Sequence, residues 1–296
     1  MDDSEQGQQA TIAFLKNELG GQVEEIRTHI SVILLGTEVA WKLKRAVSLP
    51  YVDLTDAQTR LSLCERELYL NRETAPSLYR RVLRVARSPH GLSFENGELV
   101  DGVVEMARFR PEDLFDRLAA DGRLSTELTA RLASTVAGFH RGLVAVRDDE
   151  ASRRARDVIE DIEETLRDQA DILGRDAVAD HCARCRRNFQ SFRQLLDARG
   201  RRGAIVLGHG DLHLGNICLW QGVPTLFDRL EFDEELATVD RLYDLAFLLM
   251  DLCRRGLHEH ANILLNRYLD QIDDEADLAA LPLFMSVRAA IRSHVS

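Results

Sequence analysis

The stretch LGHGDLHLGNICLW, residues 207–220, restricts what this chain can fold into more than any other part of it. It sets His209, Asp211, His213 and Asn216 between two apolar flanks, and TLFD, residues 225–228, ends a second apolar run on another carboxylate, Asp228. A solvent loop accounts for the first cluster but not for the second. Two short strands, NICLW and PTLFD, return Asp228 beside the earlier carboxylate. An acid, an amide and a second acid in that order suit phosphoryl transfer. One carboxylate accepts or orients the hydroxyl proton of the acceptor, while the amide oxygen and the other carboxylate hold Mg²⁺ against nucleotide phosphates.

The rest of the sequence narrows the setting. Its 296 residues suffice for two packed lobes. A net charge of −11 argues against a general nucleic-acid binder. No apolar stretch approaches the length of a membrane span, and MDDSEQGQQA lacks the regions of a signal peptide. Five scattered cysteines point to reduced thiols in the cytoplasm. Cys182 and Cys185 spell C-x-x-C but lack the second pair of a zinc site, so they read as thiols on a helix.

Apolar spacing over residues 8–19 predicts a helix that Gly20 and Gly21 stop. Short strand-like segments follow, then a helix over 56–72, then two alternating strands in LYRRVLRVAR and ELVDGVVEMARF. After Pro111 the pattern turns helical, with Ser125 as an expected N-cap. The expected class is α+β: a small, mostly antiparallel sheet lobe with one key helix over residues 1–108, and a larger helical lobe over 109–296.

HGDLHLGN followed by LFD resembles the catalytic loop and metal motif of the aminoglycoside phosphotransferase and choline kinase superfamily, which has a protein-kinase-like fold. VDRLYDLAFLL is similar to the same superfamily's acidic helix start, with Asp240 and Asp244 in the two acidic places. THISVILLG, VAWKLKRAV and EFDEELATVDRLYDLAFLLMDL look like an uncharacterised bacterial branch often fused to a P-loop kinase-like domain. The chain contains no G-x-x-x-x-G-K-[ST] sequence, so it is expected to represent the phosphotransferase-like part alone.

The resemblance implies an ATP- and Mg²⁺-dependent kinase acting on a hydroxyl of a small polar molecule: a sugar, amino sugar, aminoglycoside or amino alcohol. It makes Asp211 the catalytic base and Asn216 with Asp228 the metal ligands, with His209 and Asp244 supporting the loop. Lys42 would grip the phosphates, paired with Glu67, and the backbone near Glu105 and Met106 would meet adenine. The turn RTHISVI replaces the missing glycine-rich loop, so Thr28, His29 and Ser31 would supply donors. Strand alternation puts Lys42 and Lys44 on one face; V-A-x-K favours Lys42, leaving Lys44 as a solvated neighbour or a secondary charge for the phosphates. His213 reads as an ordinary loop histidine, and His140 as a residue that packs against the loop. Glu231 and Asp233 read as surface charges, and the acidic run 157–164 as a solvated helix face. Two rivals remain: a protein kinase, and a nucleotide-binding pseudokinase that regulates a partner.

Overall fold

The computed structural model describes residues 7–49 and 51–295. The first six residues, which open the stretch read above for signal-peptide character and the first expected lobe, lie outside the described residues. The chain forms two compact units. One contains the residues up to Asp113 together with Phe227–Phe232, and the other contains Leu114–Leu226 and the residues from Asp233 onward.

The first unit is built on a six-stranded antiparallel sheet. Its strands are β1 (Glu24–Arg27), β2 (Ser31–Leu35), β3 (Val39–Lys44), β4 (Tyr79–Ser88), β5 (Gly91–Ser93) and β6 (Glu98–Ala107), in spatial order β1-β2-β3-β6-β4-β5. Alternation along β3 decides what each face meets. Trp41 and Leu43 pack with Val32, Leu34, Val85 and Val103 around Ile12 and Leu15 of helix α1 (Gln8–Leu19). The Gln8 amide donates to the Lys44 carbonyl at 2.7 Å and to Asp101 at 2.8 Å, which ties α1 to the end of β3.

Helix α2 (Ala57–Asn71) packs against β6. It starts where the Asp56 side chain accepts the Thr59 N–H at 2.7 Å. Arg60, almost wholly buried, fastens it to Asp101 at 2.8 Å and to the carbonyls of Leu54, Thr55 and Val100. A buried guanidinium needs such partners, because its desolvation is otherwise uncompensated.

The second unit is mainly helical: α3 (Thr126–Gly142), α4 (Ala151–Asp168), α5 (Arg175–Arg201), α6 (Arg241–Arg254), α7 (His258–Leu269) and α8 (Leu281–Val295). Ser125 caps α3, accepting the Leu128 N–H at 3.1 Å. The core joins Leu132 and Val136 of α3, Leu245, Leu248 and Leu252 of α6, and Leu264 and Tyr268 of α7. Short strands interrupt the helices. β7 (Ile205–Leu207) pairs with β10 (Thr238–Asp240) and with Ala145–Val146, while β8 (Ile217–Trp220) and β9 (Val223–Leu226) form a hairpin. The acidic run on α4 is not wholly solvated, since Glu163 is buried between Arg167 and Arg186. Cys182 and Cys185 are free thiols buried on α5. Among the described residues, no helix is long and apolar enough to cross a membrane.

Candidate active site

In the first unit, the face of β3 opposite Trp41 carries Lys42 and Lys44, and α2 brings Glu67 between them. Lys42 Nζ donates to Glu67 Oε1 at 2.9 Å, and Lys44 Nζ lies 2.6 Å from Glu67 Oε2. Lys42 also binds Asp228, and Lys44 also binds Glu231. Five charges therefore alternate in sign from Asp228 through Lys42, Glu67 and Lys44 to Glu231. Their side-chain exposures are 36%, 9%, 0%, 0% and 4%, so the series runs from the surface inward.

Burial disfavours both ammonium ions, but Asp228 and Glu67 outweigh it at Lys42, as Glu231 and Glu67 do at Lys44, and both lysines titrate above their ordinary value. At Glu67 burial is likewise overcome, and the two lysines hold the carboxyl well below its usual range. At Glu231 burial outweighs Lys44 and raises the carboxyl. Two expectations change here. Lys44 is fully buried rather than solvated, and Glu231 is a buried ion-pair partner rather than a surface charge. Asp233 instead caps a short helix, accepting the Glu235 N–H at 2.9 Å.

The segment that carries Asp228 and Glu231 is fixed from several sides. Asp228 has a left-handed backbone, φ 62°, and its N–H donates to the Tyr79 hydroxyl at 3.2 Å. Next to it, Arg229 is buried. Its N–H donates to Asn71 Oδ1 at 3.0 Å, and its guanidinium reaches the Leu70 carbonyl at 2.9 Å and Glu73 at 2.6 Å.

The turn between β1 and β2 is held largely by itself. Thr28 N–H donates to the Ser31 carbonyl at 2.9 Å, Ser31 N–H donates to Thr28 Oγ1 at 3.0 Å, and Arg45 takes the carbonyls of Thr28 and His29. Ser31 Oγ is buried without a partner among the described residues. Glu105 and Met106 lie inside β6, flanked by Trp41 and Ala40 of β3 on one side and by Arg81 and Tyr79 of β4 on the other. The Glu105 side chain accepts from Trp41 Nε1 and Arg81 Nε, both at 3.1 Å.

In the second unit, HGDLHLGN forms a loop held by two buried carboxylates of α6, Asp244 at its start and Asp251, which accepts the Leu214 N–H at 3.2 Å. Asp244, on the first turn of α6, accepts the His209 N–H at 2.7 Å and the Gly210 N–H at 3.1 Å. His140 Nε2 lies 3.2 Å from the same carboxylate and Arg288 lies 3.9 Å away, while His140 Nδ1 meets the Tyr268 hydroxyl at 2.9 Å. Burial raises the cost of charging Asp244, but the His140 contact, His209 and Arg288 outweigh it and hold the carboxyl well below its usual range. Gly208, which precedes the motif, and Gly210 within it are both needed. Gly210 sits at φ 81°, and a Cβ on Gly208 would fall 2.8 Å from Asp244 Oδ2.

The loop then presents Asp211. Asn216 Nδ2 donates to Asp211 Oδ2 at 2.8 Å and to its carbonyl at 2.9 Å, so the amide oxygen is the atom Asn216 can offer a cation. His213 Nδ1 accepts the Gly215 N–H at 3.0 Å. A neutral ring then carries its proton on Nε2, which lies 3.4 Å from Asp211 Oδ2. Burial opposes ionisation of Asp211, yet His213, His209 and Arg288 bring its carboxyl down to about 2.

The structure thus brings Lys42, Lys44, Glu67 and Asp228 together, and Asp211, Asn216, His209 and Asp244 together, while Asn216 and Asp228 belong to different units. Sequence reasoning missed the buried role of Glu231 and the contact of His213 with Asp211. A signal for Glu231 existed: two carboxylates three residues apart answer two lysines two apart on one strand face. Nothing comparable marks Arg229 as buried.

Residues 61–281 match the family described as the phosphotransferase enzyme family. An uncharacterized protein of Mycobacterium tuberculosis (strain H37Rv) is 32% identical over 273 residues, which is 90% of this chain and 53% of that protein. The chain therefore spans about half the length of the curated relatives it matches. Among solved structures, an aminoglycoside-3'-phosphotransferase of type VIII superposes with a TM-score of 0.53 at 13% identity, covering 96% of this chain and 99% of that one. A choline kinase from Cryptosporidium parvum Iowa II superposes with a TM-score of 0.53 at 12% identity, covering 93% and 83%.

Proposed function

Since the chain belongs to the phosphotransferase enzyme family, we propose that it transfers the γ-phosphate of ATP to a hydroxyl of a small polar molecule. Sugars, amino sugars, aminoglycosides and amino alcohols are the acceptor classes of this reading. Residues 1–108 serve as the nucleotide-binding lobe and 109–296 as the lobe with the catalytic loop, in a cytoplasmic protein. The observation that supports it most is the Asp211 carboxylate, ionised at neutral pH and held at one oxygen by Asn216, which leaves Oδ1 to receive the acceptor's hydroxyl proton. A base this weak takes the proton late, as the bond to phosphorus forms, so its main service is orientation.

Lys42, the outer of the two lysines in the ion-pair series, exchanges Asp228 for nucleotide phosphate, while Glu67 keeps it aligned. Lys44 stays with its carboxylates and Ser31 Oγ serves as a donor of the turn. Adenine meets backbone near Glu105 and Met106, at the end of β6. No group of three His, Cys, Asp or Glu side chains able to hold a metal occurs among the described residues. Mg²⁺ in this chemistry does not need one, because one or two protein oxygens, phosphates and waters complete its shell. The Asn216 amide oxygen and the Asp228 carboxylate are hard donors of the right kind. When bound, the ion would neutralise charge on the transferring phosphoryl group.

The test is ATP consumption by the purified protein across a panel of sugars, amino sugars, aminoglycosides and amino alcohols, with Asp211→Asn beside the wild type. An acceptor should raise turnover, and the variant should keep ATP affinity while losing about 10²-fold or more in turnover. The second reading is a nucleotide-binding pseudokinase, favoured by a β1–β2 turn whose donors bond to the turn itself. It prevails if no acceptor supports turnover and Asp211→Asn changes nothing.

A further inference from the structure

We infer that Lys44 and Glu231 form a positioning pair that sets the register of the Asp228 segment against β3, and that neither residue binds phosphate. The inference rests on the reading above, in which Asp228 is a metal ligand. Three observations carry it. Lys44 has no exposed surface, and its ammonium lies between Glu67 and Glu231, two carboxylates from different elements. A cation enclosed by two carboxylates and without exposed surface does not face solvent or ligand.

The second observation is the matched spacing. Lys42 and Lys44 point to one face of β3 about 7 Å apart by strand geometry, and Asp228 and Glu231 each take one of them. Two contacts fix a register where one would allow sliding, because a slip by one residue would break both pairs. The outer contact alone is a weak anchor: Asp228 is partly exposed, so water competes for it. Glu231 is buried, and its contact is the durable one.

The third is the backbone of Asp228. A left-handed conformation at a non-glycine residue is strained and persists only where its surroundings over-determine it. Tyr79 and Arg229 hold the segment at and next to Asp228, and Glu231 holds it on the far side. Lys44 also occupies Glu67 Oε2, which confines Lys42 to Oε1 and keeps it toward the exposed end of the series.

The experiment replaces the pair by apolar residues, Lys44→Met with Glu231→Leu, and compares thermal unfolding and the affinity for ATP measured by calorimetry with and without Mg²⁺. A buried ion pair exchanged for apolar side chains of similar volume is often neutral for stability. The double variant is therefore expected to unfold cooperatively near the wild-type temperature, while the gain in ATP affinity that Mg²⁺ confers falls by about tenfold or more. A full gain in a folded double variant overturns the positioning role and leaves the phosphotransferase reading intact. A wild type whose ATP affinity does not depend on Mg²⁺ overturns both. Should the double variant not fold, Glu231→Asp keeps the charge and shortens the reach by one methylene. It is expected to fold and lose most of the gain, and a wild-type gain there equally overturns the inference.

Discussion

Replacing Asp244 by asparagine changes almost no volume, yet it should be among the costliest single substitutions in the chain. The carboxylate receives two loop N–H groups, from His209 and Gly210, and a contact from His140, all without exposure to water. An amide has one acceptor oxygen, so in either orientation an N–H₂ group is turned toward at least one of these donors. Losing a hydrogen bond to a charged acceptor costs about 1.5–3 kcal/mol, and the donor left buried and unmatched adds about 1–3 kcal/mol. The sum, about 2.5–6 kcal/mol, brackets the roughly 3–5 kcal/mol usual for removing one partner from a buried ionic cluster.

The pH dependence follows from the depressed carboxyl. A group whose folded value lies below its unfolded value contributes stability that is fully present above the unfolded value, near 4, and is lost as pH falls below it. Urea unfolding at a series of pH values should show a constant gap between wild type and variant from about pH 5 to 8, closing below about pH 4. A gap under about 1 kcal/mol at pH 7 would refute the assignment of Asp244 as the loop's anchor. So would a gap that persists unchanged in acid.

Lys42→Ala should weaken ATP binding severely in calorimetry while leaving the fold intact. Lys44→Ala should instead lower the unfolding free energy by about 3–5 kcal/mol, because it strands Glu231 in the interior; equal effects of the two on unfolding would contradict the buried position of Lys44. Gly208→Ala should destabilise by about 1–3 kcal/mol, since its Cβ would meet Asp244 Oδ2 at 2.8 Å and Val239 Cγ2 at 3.0 Å. An unchanged melting temperature for that variant would show that β10 and α6 yield there.

The features legible in the sequence are those set by local periodicity and by short motifs. Alternation over VAWKLK put both lysines on one face, and the structure agrees: both ammonium groups meet Glu67, while Trp41 and Leu43 pack in the core on the other face. Ser125 was readable as a cap because capping chemistry involves neighbouring residues. The misreadings concern charges whose partners lie far away in sequence. Polar residues in EFDEE look solvent-facing until Lys44, 187 residues earlier, supplies a countercharge for Glu231. Burial of Glu163 likewise depends on Arg186 from another helix. The role of His213 was hidden for a different reason: its ring orientation depends on the Gly215 N–H, which spacing alone does not specify.

The assignment of Phe227–Phe232 to the first unit has a consequence for biosynthesis. A ribosome that has released the chain through Asp113 has made every strand of the large sheet, yet lacks Arg229 and Glu231. Until more than a hundred further residues emerge, Lys44 has only Glu67 to share with Lys42, and the Asn71 and Leu70 groups that Arg229 satisfies stay without it. The first unit therefore matures after the hairpin that precedes Phe227 has been made, not before. Nascent chains arrested between those points should remain open to proteases in α2, and division at Asp113 into separately expressed halves would leave each half with part of the other's work undone.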